Sequence, residues 1–261
     1  MSHGVMRRPR FFVPSAHIQQ ARTVLSGAEF HHLRHVLRLT RGDTITLCDD
    51  SGREHEGVIT SLSPTAAEIA LLSSSAGTPP PLSLTLAQGL LKGPKMDLVI
   101  AKATELGVCR IIPFLSAFTV ALPPQDRRGN RLARWRRIAQ SAAKQSGAPP
   151  PQVTAPQPFR DVLLTAPADA GKVLFYEKES TATVTSLVRT HGGVSSLWVV
   201  IGPEGGFTPE EVTCARDRGF HVAGLGTRVL RAETASIVAV ALCQLLWEDR
   251  PPLLPPPLEL P

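Results

Sequence analysis

The sequence lacks any apolar run of membrane-spanning length. Its best candidate, residues 235–246, covers a dozen positions and is interrupted by Ser236 and Gln244, whereas a spanning helix needs about 20 apolar residues. Arg7, Arg8 and Arg10 stand near the start without the apolar stretch and small-residue cleavage site of a secretory leader, which argues against secretion. Cys48, Cys109, Cys214 and Cys243 lie far apart and form no C-x-x-C pair. That argues against a zinc site or a disulfide framework and leads us to expect reduced thiols in a cytoplasm, with no metal and no membrane contact. What is present suits a folded protein. The chain is 43% hydrophobic and 19% charged over 261 residues, enough for one large domain or a small domain joined to a medium one.

Charge is unevenly spread. Residues 1–77 hold 8 Lys/Arg against 7 Asp/Glu, residues 78–150 hold 11 against 3, and residues 151–261 hold 9 against 12. The net charge of +6 therefore comes from the middle of the chain, above all from Arg127, Arg128, Arg131, Arg134, Arg136 and Arg137. Such a cluster attracts polyanions, because neutralised phosphates release counterions. The same run also fits a solvated helix face. Six of the eight histidines precede residue 56, giving the first third a character of its own.

A break in composition falls at residues 73–81, SSSAGTPPP, which reads as a linker. Before it, residues 10–13, 44–48, 57–62 and 67–72 read as short strands separated by turn signals, the spacing of a small barrel. One helical patch interrupts them, with Phe30, Leu33, Val36 and Leu37 on one face and His31, His32, Arg34, His35 and Arg38 elsewhere. After the break the period becomes β-α-β. Strands are expected at residues 83–87, 108–114, 172–176, 197–201 and 222–225. Helices are expected from Pro94 to a cap at Gly107, over 132–145, after Thr208-Pro209-Glu210-Glu211, and over 235–247. This alternation implies a mainly parallel sheet covered on both faces. Trp135, Trp198 and Trp247 each lie in an apolar-periodic run and are expected in the core. The tail, residues 251–261, is proline-rich and reads as extended.

Two segments have the look of ligand loops at strand ends. Ile201-Gly202-Pro203-Glu204-Gly205-Gly206-Phe207 follows an apolar strand and precedes a capped helix; its glycines permit close backbone approach and positive φ. It fits neither the dinucleotide fingerprint nor a P-loop, and a plain tight turn would look similar. Leu225-Gly226-Thr227-Arg228-Val229-Leu230-Arg231-Ala232-Glu233-Thr234-Ala235 sets two arginines and a glutamate at the mouth of an apolar helix, where Glu233 and Thr234 would also serve as a cap. His31 and His35, four apart, suit a metal only with a third ligand, and none suggests itself.

Taken in order with Lys92-Gly93-Pro94-Lys95-Met96-Asp97 and Lys102-Ala103-Thr104-Glu105-Leu106-Gly107-Val108, these loops resemble one family. They look like the RsmE family, 16S ribosomal RNA uridine N3-methyltransferases of the SPOUT superfamily. His32-Leu33-Arg34-His35-Val36-Leu37-Arg38 is similar to that family's RNA-binding domain. The resemblance implies an α/β fold: a C-terminal SPOUT-type trefoil-knotted parallel sheet flanked by helices, preceded by a small PUA-like β-barrel. The limits would be 1–76 for the barrel, 77–250 for the methyltransferase domain and 251–261 for the tail. It further implies S-adenosylmethionine as cofactor, a homodimer, and 16S rRNA or the small ribosomal subunit as partner. Carried over by position, Ile201, Gly202, Leu225, Gly226, Val229 and Leu230 would line the cofactor pocket. Arg231 would stabilise negative charge on the uridine, and Glu204 or Glu233 would orient the base or take its N3 proton. His32, Arg34, His35, Arg38, Arg134 and Arg137 would contact RNA.

Two positions depart from the family pattern. Ser116-Ala117-Phe118 stands where an arginine-containing triplet is usual, and Gln145-Ser146-Gly147 is followed by Ala148 rather than arginine. Each departure removes a guanidinium fork able to hold phosphate or substrate. An RNA-binding protein that keeps the fold without catalysis, or an enzyme for a different RNA, is the alternative these positions leave open.

Overall fold

The computed structural model describes residues 8–49, 53–76, 82–119, 125–146, 148–183 and 193–248. Gly147 and the tail 251–261 lie outside the described residues, as do the side chains of Arg127, Arg128 and Trp247. The chain divides into two compact units, Met1–Pro79 and Pro80–Pro261.

In the first unit, strands β1 (Arg10–Val13), β2 (Arg22–Ser26), β3 (Thr44–Asp49), β4 (Arg53–Leu62) and β5 (Ala66–Ala76) form one sheet in the order β1-β3-β4-β5-β2. Only β1 and β3 pair parallel; the other neighbours are antiparallel. Inward alternation in β2 buries Thr23 and Leu25, and in β4 it buries His55, Gly57 and Ile59. The β4–β5 register shifts at Glu56/Gly57 and again at Ile59/Ser61, and such bulges bend a ribbon around its core. Phe11, Leu25, Phe30, Leu33, Ile45, Leu47, Ile59 and Ile69 fill that core. Strand β2 has no counterpart among the sequence expectations. Strand β5 runs on through Ser73–Ala76, so the linker expected from residue 73 starts later.

The helical patch also differs from expectation. Helix α1 (Gly27–His31) widens into a π turn over His32–Val36, where the Leu37 N–H reaches back five residues to His32 O at 3.0 Å. A wider turn breaks the 3.6-residue repeat. Phe30 and Leu33 are buried as expected, but Val36 and Leu37 rotate out to 61% and 39% exposure. Arg38, at φ +56°, ends the turn.

In the second unit, β6 (Ser83–Gly89), β7 (Arg110–Leu115), β8 (Gln152–Val153), β10 (Gly171–Phe175), β11 (Ser196–Ile201) and β12 (His221–Ala223) make a sheet ordered β12-β10-β11-β6-β7-β8. Strand β9 (Gln157–Pro158) pairs with β7, and every ladder in this sheet is parallel. Both faces are covered, as parallel sheets require. One face packs against α2 (Pro94–Glu105), α3 (Gln125–Ser146) and α6 (Ala232–Glu248) through Met96, Val99, Ile100, Trp135, Ala139, Val240 and Cys243. The other packs against α4 (Phe159–Thr165) and α5 (Pro209–Asp217) through Phe159, Val162, Leu163, Val212 and Ala215. Trp135 and Trp198 are core residues, 1% and 3% exposed. The short elements β8, β9 and α4 were not anticipated.

Local chemistry explains the boundaries that matter. Pro94 opens α2, and Gly107 at φ +80° lets the chain turn after it, with its N–H on Thr104 O and that of Val108 on Ala103 O. Helix α5 starts with a complete capping box: Glu211 N–H donates to Thr208 Oγ1 and Thr208 N–H to Glu211 Oε2. No helix among the described residues is long and apolar enough to cross a membrane.

Candidate functional site

Strands β6, β10, β11 and β12 run in one direction, so their carboxyl ends lie along one edge of the sheet, the usual place for a ligand in an open α/β fold. Gly89 ends β6. A side chain there would run into the backbone of Gly202 and Pro203, so only glycine lets these two strand ends meet. Pro203 O accepts from Gly206 N–H at 2.9 Å, closing the glycine loop into a turn, and Gly206 adopts φ +70°.

A buried polar bridge fixes the loop to the last helix. Ser236 Oγ, on α6, donates to Gln88 Oε1 at 2.5 Å. Gln88 Nε2 in turn donates to Gly89 O at 3.0 Å and reaches Gly202 O at 3.4 Å. Gln88 and Ser236 are almost fully buried, and buried polar groups are costly unless partnered.

Between the two loops lies a cavity of about 250 Å³. Ile201, Gly202, Leu225, Gly226, Val229 and Leu230, named from the sequence, all line it, and so does Glu204. Gly226 sits at φ +113°, and a Cβ added there would meet nothing within 4 Å. A substitution would thus strain the backbone as well as project into open space. Tyr176, Glu177 and Arg228 line the cavity too and were missed. The first two directly follow β10, so the signal was present in the parallel order of the strands. Arg231 is exposed at the entrance to α6 and is not among the lining residues. Glu233 follows Ala232, which does line the cavity.

The two glutamates differ in their surroundings. Glu204 Oε1 accepts from Lys92 N–H at 3.1 Å and from Lys95 Nζ at 3.3 Å. Burial alone would raise its pKa, but these donors, together with its own backbone N–H, outweigh burial and hold the carboxyl below its ordinary range. Glu233 Oε2 is buried and has no hydrogen-bond partner among the described residues; the nearest cation is Lys95 Nζ at 3.9 Å. Lys95 therefore stands between both carboxylates. It lies in a motif quoted from the sequence, yet nothing local marked it as the tie between two loops more than 100 positions away.

Basic side chains divide into committed and free. Arg134 pairs with Asp97 at 2.5 Å. Arg131 stacks over Trp135 at 4.9 Å and donates to Leu91 O; burial lowers its pKa, with Asp97 opposing and Arg134 assisting. Arg136 donates to Val153 O, while Arg137 is exposed without a partner among the described residues. In the first unit, Arg34, His35 and Arg38 are exposed, but His32 is half-buried against Phe11, ring centroids 5.8 Å apart. The rings of His31 and His35 lie 4.9 Å apart, and no cluster of three metal-ligating side chains occurs among the described residues.

Known proteins share this fold. A family model described as an RNA methyltransferase domain matches residues 78–244, and an RNA methyltransferase PUA domain matches residues 25–72. The chain is 32% identical over 241 residues to the ribosomal RNA small subunit methyltransferase E of Bacillus subtilis, covering 89% of this chain and 94% of that one. The protein of the same name from Synechocystis is 33% identical over 242 residues, covering 92% and 78%. A crystal structure of the Neisseria gonorrhoeae ribosomal RNA small subunit methyltransferase E bound to S-adenosyl methionine superposes with a TM-score of 0.79 at 32% identity, over 92% of this chain and 98% of that chain. The resemblance carried by the sequence motifs is borne out.

Proposed function

The chain belongs to the ribosomal RNA small subunit methyltransferase E family, and from that membership we propose that it methylates N3 of a uridine in 16S rRNA using S-adenosylmethionine. The observation that carries this reading is the convergence of the Ile201–Phe207 and Leu225–Leu230 loops on one cavity at the sheet edge. The residues present fit the cofactor. Glycine at 202 and 226 lets adenine and ribose approach the backbone closely, and Leu225 and Leu230 supply apolar wall.

S-adenosylmethionine, when bound, supplies an electrophilic methyl carbon on a sulfonium. The rest falls to this chain. Uridine N3 is an imide nitrogen, protonated at neutral pH, so its proton must leave as the new bond forms. Glu204 is already occupied by Lys92 and Lys95, and we assign it to positioning. Glu233 has the unpartnered oxygen and takes the N3 proton. Arg231, at the start of α6, offsets the negative charge that develops on the base carbonyls, an electrostatic role its planar fork suits. Arg34, His35, Arg38 and Arg137 hold phosphates, with His32 and Arg134 in supporting positions because each is already engaged. The same reading includes an RNA-binding barrel at 1–76, a methyltransferase domain at 77–250, a trefoil knot, a homodimer and a cytoplasmic location, all resting on the family resemblance.

The test is single-turnover methyl transfer to small subunits isolated from a strain lacking the modification, with the product located by nuclease digestion and mass spectrometry. One methyl group on N3 of one uridine is expected. A methyl group on another RNA would reassign the target, and no transfer to any RNA would leave an RNA-binding protein without catalysis.

A further inference from the structure

Phe118 is 48% exposed, and no other phenylalanine or tryptophan among the described side chains is open to solvent to that degree. It follows β7, whose carboxyl end lies beside that of β6, with β11 the next strand beyond β6. Its side chain rests on the cavity loop: a Cβ added to Gly205 would fall 2.7 Å from Phe118 Cβ and 3.2 Å from its Cγ. Gly205 itself lines the cavity.

The turn that carries this ring is held by hydrogen bonds. Ser116 N–H donates to Thr119 Oγ1 at 2.8 Å, and Thr119 N–H returns to Ser116 O at 3.0 Å, closing a turn around Ala117 and Phe118. Ala117 N–H donates to Glu211 Oε1 at 2.9 Å, and the other oxygen of that carboxylate caps α5. One glutamate thus locks the Phe118 turn to the helix that leaves the glycine loop. A half-exposed phenylalanine on a pinned turn, packed against a glycine that lines the cavity, has the properties of a stacking platform for an unpaired base.

Resting on the methyltransferase reading above, we propose that Phe118 is a substrate-binding residue that stacks on an unpaired RNA base at the mouth of the cavity. Stacking is blind to phosphate, so Phe118 contributes base capture and orientation without adding to the salt dependence of binding.

The experiment compares Phe118→Ala, Phe118→Leu and Phe118→Trp in methyl transfer to unmodified small subunits, with calorimetry of S-adenosylmethionine binding alongside. Losing a base–aromatic stack is expected to raise the half-saturating subunit concentration on the order of 10-fold for Ala. Leu, which preserves apolar packing on Gly205, should be nearly as poor, and Trp should restore the wild-type value. Cofactor affinity should stay the same in all three. A Leu variant equal to wild type would reduce Phe118 to packing, and an unimpaired Ala variant would remove it from the substrate site. Should the wild type itself transfer no methyl group, the functional reading fails separately. Filter binding of the same small subunits then supports the platform if Trp binds as the wild type does while Leu and Ala are both weakened, and overturns it if Leu matches the wild type or all bind equally.

Discussion

Ser236 Oγ and Gln88 Oε1 meet at 2.5 Å across 148 positions of sequence, and through them the closing helix grips the strand end on which the glycine loop rests. Gln88 has further contacts to Gly89 O and Gly202 O, so its amide orientation is fixed from two sides. Ser236 is thereby a structural support of the cavity although it does not line it.

Ser236→Ala leaves Gln88 Oε1 buried without its donor. An orphaned buried acceptor costs about 1–3 kcal/mol, visible as a lower midpoint in urea at unchanged slope. Cofactor affinity, measured by calorimetry, should fall with it, because Gly202 loses its anchor. Unchanged stability together with unchanged affinity would mean that water replaces the hydroxyl and the bridge is dispensable.

Cys243 gives a pH signature. It is fully buried on α6, and burial pushes its thiol from an ordinary value near 9 up to about 12. The folded state therefore holds the proton more tightly than the unfolded state does. Its contribution to stability is complete below about pH 9 and is lost as pH rises toward 12. Other groups titrate in this range, so the readout is a difference: the stability gap between Cys243→Ala and the wild type should narrow or reverse on going from pH 8 to about pH 10. A gap independent of pH would show that the thiol is already accessible in the folded state.

Much of the second unit was legible because its signals are local. Pro94, Gly107 and the Thr208–Glu211 box mark helix ends through neighbours one turn away, and the apolar strands read as runs because both sheet faces are covered. The loops at 201–207 and 225–235 were visible for the same reason. The first unit was harder. Nothing in His32–Val36 announces a π turn, and the wider turn carries Val36 and Leu37 off the apolar face to which helical spacing assigns them. The Gln88–Ser236 bridge and the position of Lys95 between Glu204 and Glu233 are long-range contacts, and no periodicity encodes them. Phe118 stood out only as a missing arginine; its contact with Gly205 needed coordinates.

RNA affinity should separate free cations from committed ones. Arg34 and Arg38 are exposed, and reversing both to Glu is expected to weaken binding of 16S rRNA and flatten its dependence on salt, since every phosphate left without its cation lowers the slope by about one unit. Cofactor affinity should not change, because neither residue lines the cavity. Arg137→Ala should flatten the slope more than Arg134→Ala, whose guanidinium already pairs with Asp97. Equal slopes for all variants would place these side chains off the RNA.

The proton acceptor can be told from the positioning carboxylate by pH. Glu233→Gln keeps shape and removes the base proposed above, so single-turnover transfer at neutral pH should fall on the order of 100-fold or more. As pH rises, solvent takes the imide proton unaided, and the variant should recover toward the wild-type rate. Glu204→Gln should behave otherwise. It weakens the tie to Lys92 and Lys95, which loosens cofactor binding at every pH and offers no alkaline recovery. Arg231→Lys keeps the charge but loses the fork, and transfer should slow by on the order of 100-fold while small-subunit affinity holds. If Glu204→Gln rather than Glu233→Gln regains its rate at high pH, the two roles are exchanged. An Arg231→Lys enzyme as fast as the wild type would pass the electrostatic role to Arg228, the arginine that lines the cavity itself.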